Sequence, residues 1–322
     1  MSVFLGIDGG GSKTRCILGD ENSLLGSGSS SGCNVLRVGE ACAQSSLQAA
    51  IHEACVRASI SPQDIVRTCA GVAGGGRWEI ASVLRRVISG IAGGDIEIAG
   101  DMEIAFEDAF GVGAGLIVIS GTGSIAYGKN LRGETARAGG WGHAISDEGS
   151  GHWIGVAAIQ AALRARDRGD NSSLLKDLMN ALGAETVEEL VVRVNGSPAP
   201  DFASLFPVVL STALAPRGVS AADAGDTIAK EVLEDAGKEL AKLVETVIRR
   251  LFGGVEEVWV ATHGGVLASS AQVKNSLVGH LRAKDPRTRF ISREIDPAQG
   301  ALVRARRGLR SGASGLLVAN QH

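Results

Sequence analysis

Several short stretches of this chain combine residue types that do chemistry. Residues 6–14, GIDGGGSKT, set the carboxylate of Asp8 and a run of glycines before a hydroxyl and an amine. Such a run suits an anion cradle, because glycine lets backbone amides approach a ligand closely. It matches neither common nucleotide loop. A Walker A loop has lysine directly after its second glycine, whereas Ser12 separates Gly11 from Lys13. A dinucleotide turn ends on a third glycine, and Thr14 occupies that place. What remains is a hairpin in which Gly10, Gly11, Ser12 and Lys13 are candidate phosphate contacts, or else a plain glycine-rich turn. Asp8, at the end of the first strand, suits a carboxylate that holds hydrated Mg2+.

The device recurs at SGTGS, Ser120 to Ser124, which follows a second apolar strand. One such hairpin means little; two suggest loops that grip a polyphosphate from opposite sides. Asp101 in AGDMEIA follows a strand and opens a helix, where ligands often bind. A helix cap is the plainer reading of that aspartate. Residues 139–151, GGWGHAISDEGSG, combine five glycines with Trp141, His143, Asp147 and Glu148. A tryptophan beside glycines and carboxylates suits a sugar: the ring covers an apolar sugar face and the acids accept hydroxyl hydrogen bonds. The alternative is a helix start capped by Asp147 or Ser146, with Trp141 in the core. His143 and His152 stand nine residues apart without an obvious third ligand, so a metal centre is not expected there. THGGV follows a strand and opens a helix, and its Gly264 and Gly265 allow a flat nucleoside to approach backbone.

The elements that must position these residues follow from periodicity. Strands are expected over VFLGID, TRCILGD and SLLGSGS, paired antiparallel through short turns. A helix fits residues 39–60, then come a strand at IVRTCAGVA, a helix from Trp78, a strand at IEIAGD and a helix at MEIAFEDAF. The pattern then restarts with GLIVISGTGSIAYG, about 110 residues on. Helices follow, one from residue 148, others around a loop at 196–200, and the longest within 220–252. That long helix suits either a domain core or a dimer seam. EEVWVATHGG and TRFIS are strands, and PAQGALVRARRGL is a final helix. Two divergent halves of one architecture are therefore expected.

Composition narrows the field. With 322 residues, 44% apolar and 21% charged, the chain is long enough for two packed domains. A net charge of −3 marks neither a nucleic-acid nor a membrane partner. No apolar run is long enough to span a bilayer and no signal peptide is legible. The five cysteines are scattered, odd in number and without a C-x-x-C pair, which points to a reducing cytoplasm.

GIDGGGSKT, ISGTGS and GGWGHAISDEGSG in this order resemble the signatures of the sugar kinase/Hsp70/actin ATPase superfamily. Within it the chain is similar to the BadF/BadG/BcrA/BcrD-type ATPases, and in particular to N-acetylglucosamine kinases. The resemblance implies an α/β fold of two ribonuclease H-like (actin-like ATPase) domains, mixed sheets flanked by helices, with an interdomain cleft. The domains would be 1–112 with 297–322, and 113–296, joined by helices that start near Asp101 and Pro297. It implies ATP and Mg2+ as cofactors and transfer to the 6-hydroxyl of an amino sugar, most directly N-acetylglucosamine. Glucosamine is the alternative acceptor, and ATP-driven activation of a dehydratase is a remoter one. Asp101 is then the catalytic base, while Ser12 and Thr122 meet ATP phosphates. Asn34, Gly123, Ser124, Gly140, Trp141, Gly142 and Asp147 hold the sugar, and Gly264 and Gly265 lie against the nucleoside. Mammalian enzymes of this kind carry Trp where Leu36 stands and Asn where Ile125 stands, both facing the sugar. A cytoplasmic homodimer is the expected form.

Overall fold

Apolar side chains fill β1 (Val3–Gly9) almost without a break, and nearly all of it is buried, the pattern of a central strand covered on both faces. In the computed structural model, which describes residues 1–214 and 225–315, β1 indeed has a partner on each side. It pairs antiparallel with β2 (Lys13–Gly19) and parallel with β4 (Ile65–Val72). The chain divides into two compact units, Met1–Ala114 with the chain from Ser292 onward, and Gly115–Ile291.

In the first unit, β3 (Leu24–Ser31) and β5 (Asp95–Gly100) complete a sheet of order β3-β2-β1-β4-β5. Its helices begin with α1 (Val35–Val38), α2 (Glu40–Ala58), α3 (Trp78–Ser89) and α4 (Asp101–Phe110). The second unit repeats this plan with β6 (Gly115–Ser120), β7 (Ser124–Lys129), β8 (Thr135–Gly139), β9 (Val258–His263) and β10 (Thr288–Phe290), in the order β8-β7-β6-β9-β10. Both sheets join an antiparallel three-strand meander to two parallel strands. This is the mixed ribonuclease H-like arrangement, present twice. Helices α5 (Gly151–Arg168), α6 (Leu174–Leu182), α7 (Val187–Val194), α8 (Phe206–Ala213), α9 (Thr227–Leu251), α10 (Gly265–Ser269) and α11 (Ala271–Lys284) belong to the second unit. The last helix, α12 (Pro297–Gly315), returns to the first.

The alternation of β1 divides the first core into two layers. Leu5 and Ile7 join Leu47, Ile51 and Leu84 of α2 and α3, whereas Phe4 joins Ile104, Ala298 and Leu302 of α4 and α12. Glycine makes the second layer possible. A Cβ on Gly6 would lie 2.4 Å from the Leu302 nitrogen, and one on Gly300 1.9 Å from the Ile104 carbonyl oxygen.

Helix α9 buries Ala229, Val232, Leu233, Ala236, Leu240, Val244, Val247 and Ile248, a stripe of helical period. It packs on β6, β7 and β8 and on α11, so it lies in the core of its unit. Of the residues 220–252 expected to contain it, 220–224 fall outside the described residues. Elements not foreseen are β8, a short strand with little apolar content, and the short helix α1, whereas the helix expected to open at THGGV is α10. Helix α11 was also missed; its buried positions are only Val273, Leu277 and Leu281. No helix among the described residues is long and apolar enough to cross a membrane.

Candidate functional site

The first glycine turn closes β1 on β2 with a hydrogen bond from Gly10 N to Lys13 O of 2.9 Å. Ser12 and Lys13 stand exposed at its tip. The backbone N–H of Cys33 donates to Gly10 O at 3.1 Å, which sets Asn34 beside the turn. Gly32 backs directly onto it, since a Cβ there would meet Gly11 O at 2.3 Å. The structure thus brings Gly10–Lys13 and Asn34 together. Asn34 caps α1: its Oδ1 accepts from Leu36 N at 3.1 Å, leaving its amide NH2 to donate elsewhere. Leu36 itself is 65% exposed.

Asp8 and Asp101 act on each other in this unit. Burial, with the carboxylates of Asp101 and Asp296, pushes the Asp8 carboxyl up to about 7, against the pull of Arg15 and Lys13. Burial also raises Asp101, whose Oδ1 accepts from Met102 N at 3.0 Å. Asp101 is not the cap of α4. That position is Gly100, whose N–H is taken by the Glu103 carboxylate at 3.0 Å, so the capping reading of Asp101 gives way. Two members of this group were not singled out from the sequence. Asp296 stands just before α12, and Arg15 on β2 bridges to it at 2.8 Å. Asp296 followed by Pro297 is a helix-start signal that could have flagged the position.

Asp8, Asp101 and Asp296 offer only oxygen donors, which suits Mg2+. Among the described residues no three His, Cys, Asp or Glu side chains converge to coordinate an ion directly. The donor set therefore fits an ion that keeps its water shell and meets the protein through those waters, as Mg2+ commonly does.

In the second unit three sequence stretches converge. The turn Ser120–Ser124 is tied to the acidic loop by four bonds. Ser120 Oγ donates to Gly149 O at 2.8 Å and Ser124 Oγ to Glu148 O at 2.7 Å. Gly151 N donates to Gly121 O at 2.8 Å and His152 N to Thr122 O at 3.3 Å. Gly264, at φ 103°, lies against the same turn: a Cβ there would be 2.3 Å from Ser120 O. Gly265 and Thr122 are exposed beside it.

Asp147 is 7% exposed and sits in the left-handed region at φ 73°, a strained place for a residue with a side chain. Its carboxylate packs on Gly123, where a Cβ would lie 2.9 Å from Oδ2. Burial raises its pKa, opposed by the N–H groups of Ser124 and Gly142 and by His143. Gly123, Ser124, Gly142 and Asp147 are thereby gathered in one place. Gly140 packs on Ile125, 2.7 Å from a notional Cβ, and both Gly140 and Gly142 have positive φ. The cap of α5 is Ser150, whose Oγ accepts from Trp153 N at 3.2 Å. Trp141 is 59% exposed. Neither the capping role for Ser146 or Asp147 nor the core role for Trp141 holds. The rings of His143 and His152 meet at a tilt, centroids 4.8 Å apart, and His152 packs edge-on against Phe202.

A model of the BadF/BadG/BcrA/BcrD ATPase family matches residues 5–305. The N-acetylmuramic acid/N-acetylglucosamine kinase of Clostridium acetobutylicum is 35% identical over 319 residues, 95% of this chain and 99% of that protein. The N-acetyl-D-glucosamine kinase of Dictyostelium discoideum is 28% identical over 316 residues, 94% of this chain and 97% of that protein. A crystal structure from Chromobacterium violaceum, provisionally assigned as an N-acetylglucosamine kinase, superposes with a TM-score of 0.75. It is 26% identical and covers 94% of this chain and 98% of its own.

Proposed function

Because the chain belongs to the BadF/BadG/BcrA/BcrD ATPase family, we propose that it is an ATP-dependent kinase of N-acetylated amino sugars acting at the 6-hydroxyl. N-acetylglucosamine is the first acceptor, and N-acetylmuramic acid, with the same free 6-hydroxyl, is the second. The observation that carries this reading is the acid group at the head of α4 and α12: Asp101 is half-buried with a raised pKa, and Asp8 responds to both it and Asp296.

In this reading Asp101 accepts the proton of the sugar 6-hydroxyl as that oxygen bonds to the γ-phosphorus. The bond from the γ-phosphorus to the β–γ bridging oxygen breaks, and ADP leaves. A raised pKa makes Asp101 a stronger base, and such a base contributes ~10²–10⁴-fold. Gly10, Gly11, Ser12, Lys13 and Thr122 meet phosphate, whose negative charge amides and an ammonium offset. Mg2+ bound with the nucleotide supplies further charge neutralisation, and Asp8 would anchor it through water. Gly264 and Gly265 receive the nucleoside. Asn34, Gly123, Ser124, Gly140, Trp141, Gly142 and Asp147 hold the sugar. Ile125 and Leu36 add apolar surface, which favours an acetyl group over a free ammonium. The cysteines weigh against the dehydratase-activator alternative: Cys16, Cys33, Cys55 and Cys69 are buried, with thiols pushed up by burial. A homodimer completes the reading, and light scattering on the purified protein tests it.

The deciding experiment is ADP release measured across glucose, glucosamine and N-acetylglucosamine, with phosphorus NMR of the product. N-acetylglucosamine should give the highest kcat/KM and a 6-phosphate. Sugar-independent ADP release, or a preference for glucosamine, would refute the reading.

A further inference from the structure

Arg137, at the middle of β8, is a cation that the kinase reading leaves unused. Its guanidinium carbon lies 4.3 Å from the centroid of the Trp141 ring, and its Nη1 is 3.5 Å from the Gly140 carbonyl oxygen. It thus rests on two of the residues read as holding the sugar. It is exposed, and among the described residues it forms no ion pair. The two acids of the neighbouring loop are engaged elsewhere: Asp147 packs on Gly123, and Glu148 Oε2 accepts from Ser146 Oγ at 2.8 Å. A second cation adjoins it, because Arg250 of α9 donates from Nη1 to the Arg137 carbonyl at 3.0 Å.

A neutral amino sugar gives no reason for uncompensated positive charge at this place. An acidic one does. Stacking on tryptophan occupies the face of a guanidinium and leaves its N–H edge open, the geometry that takes a carboxylate in two parallel hydrogen bonds. N-acetylmuramic acid differs from N-acetylglucosamine by a 3-O-lactyl ether that ends in a carboxylate. We propose that Arg137 is the specificity-determining contact for that lactyl carboxylate, held in position by Trp141 and reinforced by the field of Arg250. The proposal rests on the amino-sugar kinase reading.

The test compares kcat/KM for N-acetylmuramic acid and N-acetylglucosamine in wild type, Arg137→Gln and Arg137→Lys. Calorimetric binding of each sugar without ATP supplies a readout independent of turnover. In Arg137→Gln the ratio of the two kcat/KM values should shift at least about tenfold toward the neutral sugar, as loss of a charge-assisted bidentate contact predicts. Arg137→Lys should fall between. Wild-type affinity for N-acetylmuramic acid should weaken with added KCl more than that for N-acetylglucosamine. Equal losses for both sugars would show that Arg137 only steadies Trp141 and would overturn the inference. So would a wild type that phosphorylates N-acetylglucosamine but neither binds nor phosphorylates N-acetylmuramic acid. No transfer to either sugar would strike down the kinase reading itself, and the inference with it.

Discussion

The two units share one topology but not one chemistry. In the first hairpin the second pair from the turn is Asp8 opposite Arg15; in the second hairpin the same place is Ile119 opposite Ile125. The first unit gathers three half-buried carboxylates, Asp8, Asp101 and Asp296, whereas the second sets one buried carboxylate, Asp147, among backbone amides, a threonine and glycines. The acids gather on one side for a topological reason. In each half the fifth strand leads to a helix preceded or opened by aspartate, Asp101 for α4 and Asp296 for α12. Both helices pack in the first unit, so both acids end there. A duplicated scaffold therefore need not duplicate its site: a single helix that returns to the other unit concentrates charge on one copy.

That asymmetry can be broken at several levels. Asp101→Asn removes the base while leaving the second unit untouched. Turnover should fall ~10²–10⁴-fold, with nucleotide affinity by calorimetry changed less than about threefold; near-normal turnover would make the acid side dispensable. Next comes packing of the returning helix. In Gly300→Ala the new methyl must displace the Ile104 carbonyl, at a cost of ~1–3 kcal/mol. Gly279→Ala, on the exposed face of α11, meets nothing within 4 Å and should gain up to ~1 kcal/mol. Denaturant melts of the two variants, which should move in opposite directions, check both.

Asp8→Asn should raise the melting temperature in chelator at pH 8 while impairing transfer. The sign follows from the raised carboxyl: the folded state holds a proton that the unfolded chain releases between pH ~4 and ~7, so ionisation across that window destabilises the fold. At pH 4 the advantage should vanish, and a variant no more stable than wild type at pH 8 would contradict the buried-acid picture. The smallest effect belongs to the second unit. Asp226 caps α9 through Ile228 N and Ala229 N, both at 3.0 Å, and accepts from Ser172 and Ser173. Burial pushes its pKa up, but these hydrogen bonds outweigh it and hold the carboxyl below its usual value. Its stabilisation is therefore complete above the ordinary aspartate pKa and is lost as pH falls through the depressed one. Asp226→Ala should cost ~1 kcal/mol near pH 7, a difference that melts at decreasing pH should show shrinking in acid.

Legibility tracked how local each signal is. The strands around both glycine turns and helices α2, α3, α4, α5, α9 and α12 announced themselves by periodicity and by glycine or proline at their ends. Strand β8 did not, because TARAG is short and only Ala136 and Gly139 are buried. Glu103 rather than Asp101 serves the Gly100 amide, a choice between two nearby acids that composition does not make. The left-handed backbone of Asp147 was equally hidden, since it is imposed by packing on Gly123 and the amides around it.

By itself the sequence determined that this protein has two strand–glycine–strand halves, where their turns fall, and that one loop mixes tryptophan, glycine and acid. Those features depend on neighbours within a few residues, and local sterics and side-chain period suffice to set them. Only the tertiary structure decided that Arg15 meets Asp296, that Asp8 feels both Asp101 and Asp296, and that Arg137 lies across Trp141. Burial and charge coupling depend on what the whole fold brings within a few ångströms, and residues 281 positions apart carry no local trace of that proximity.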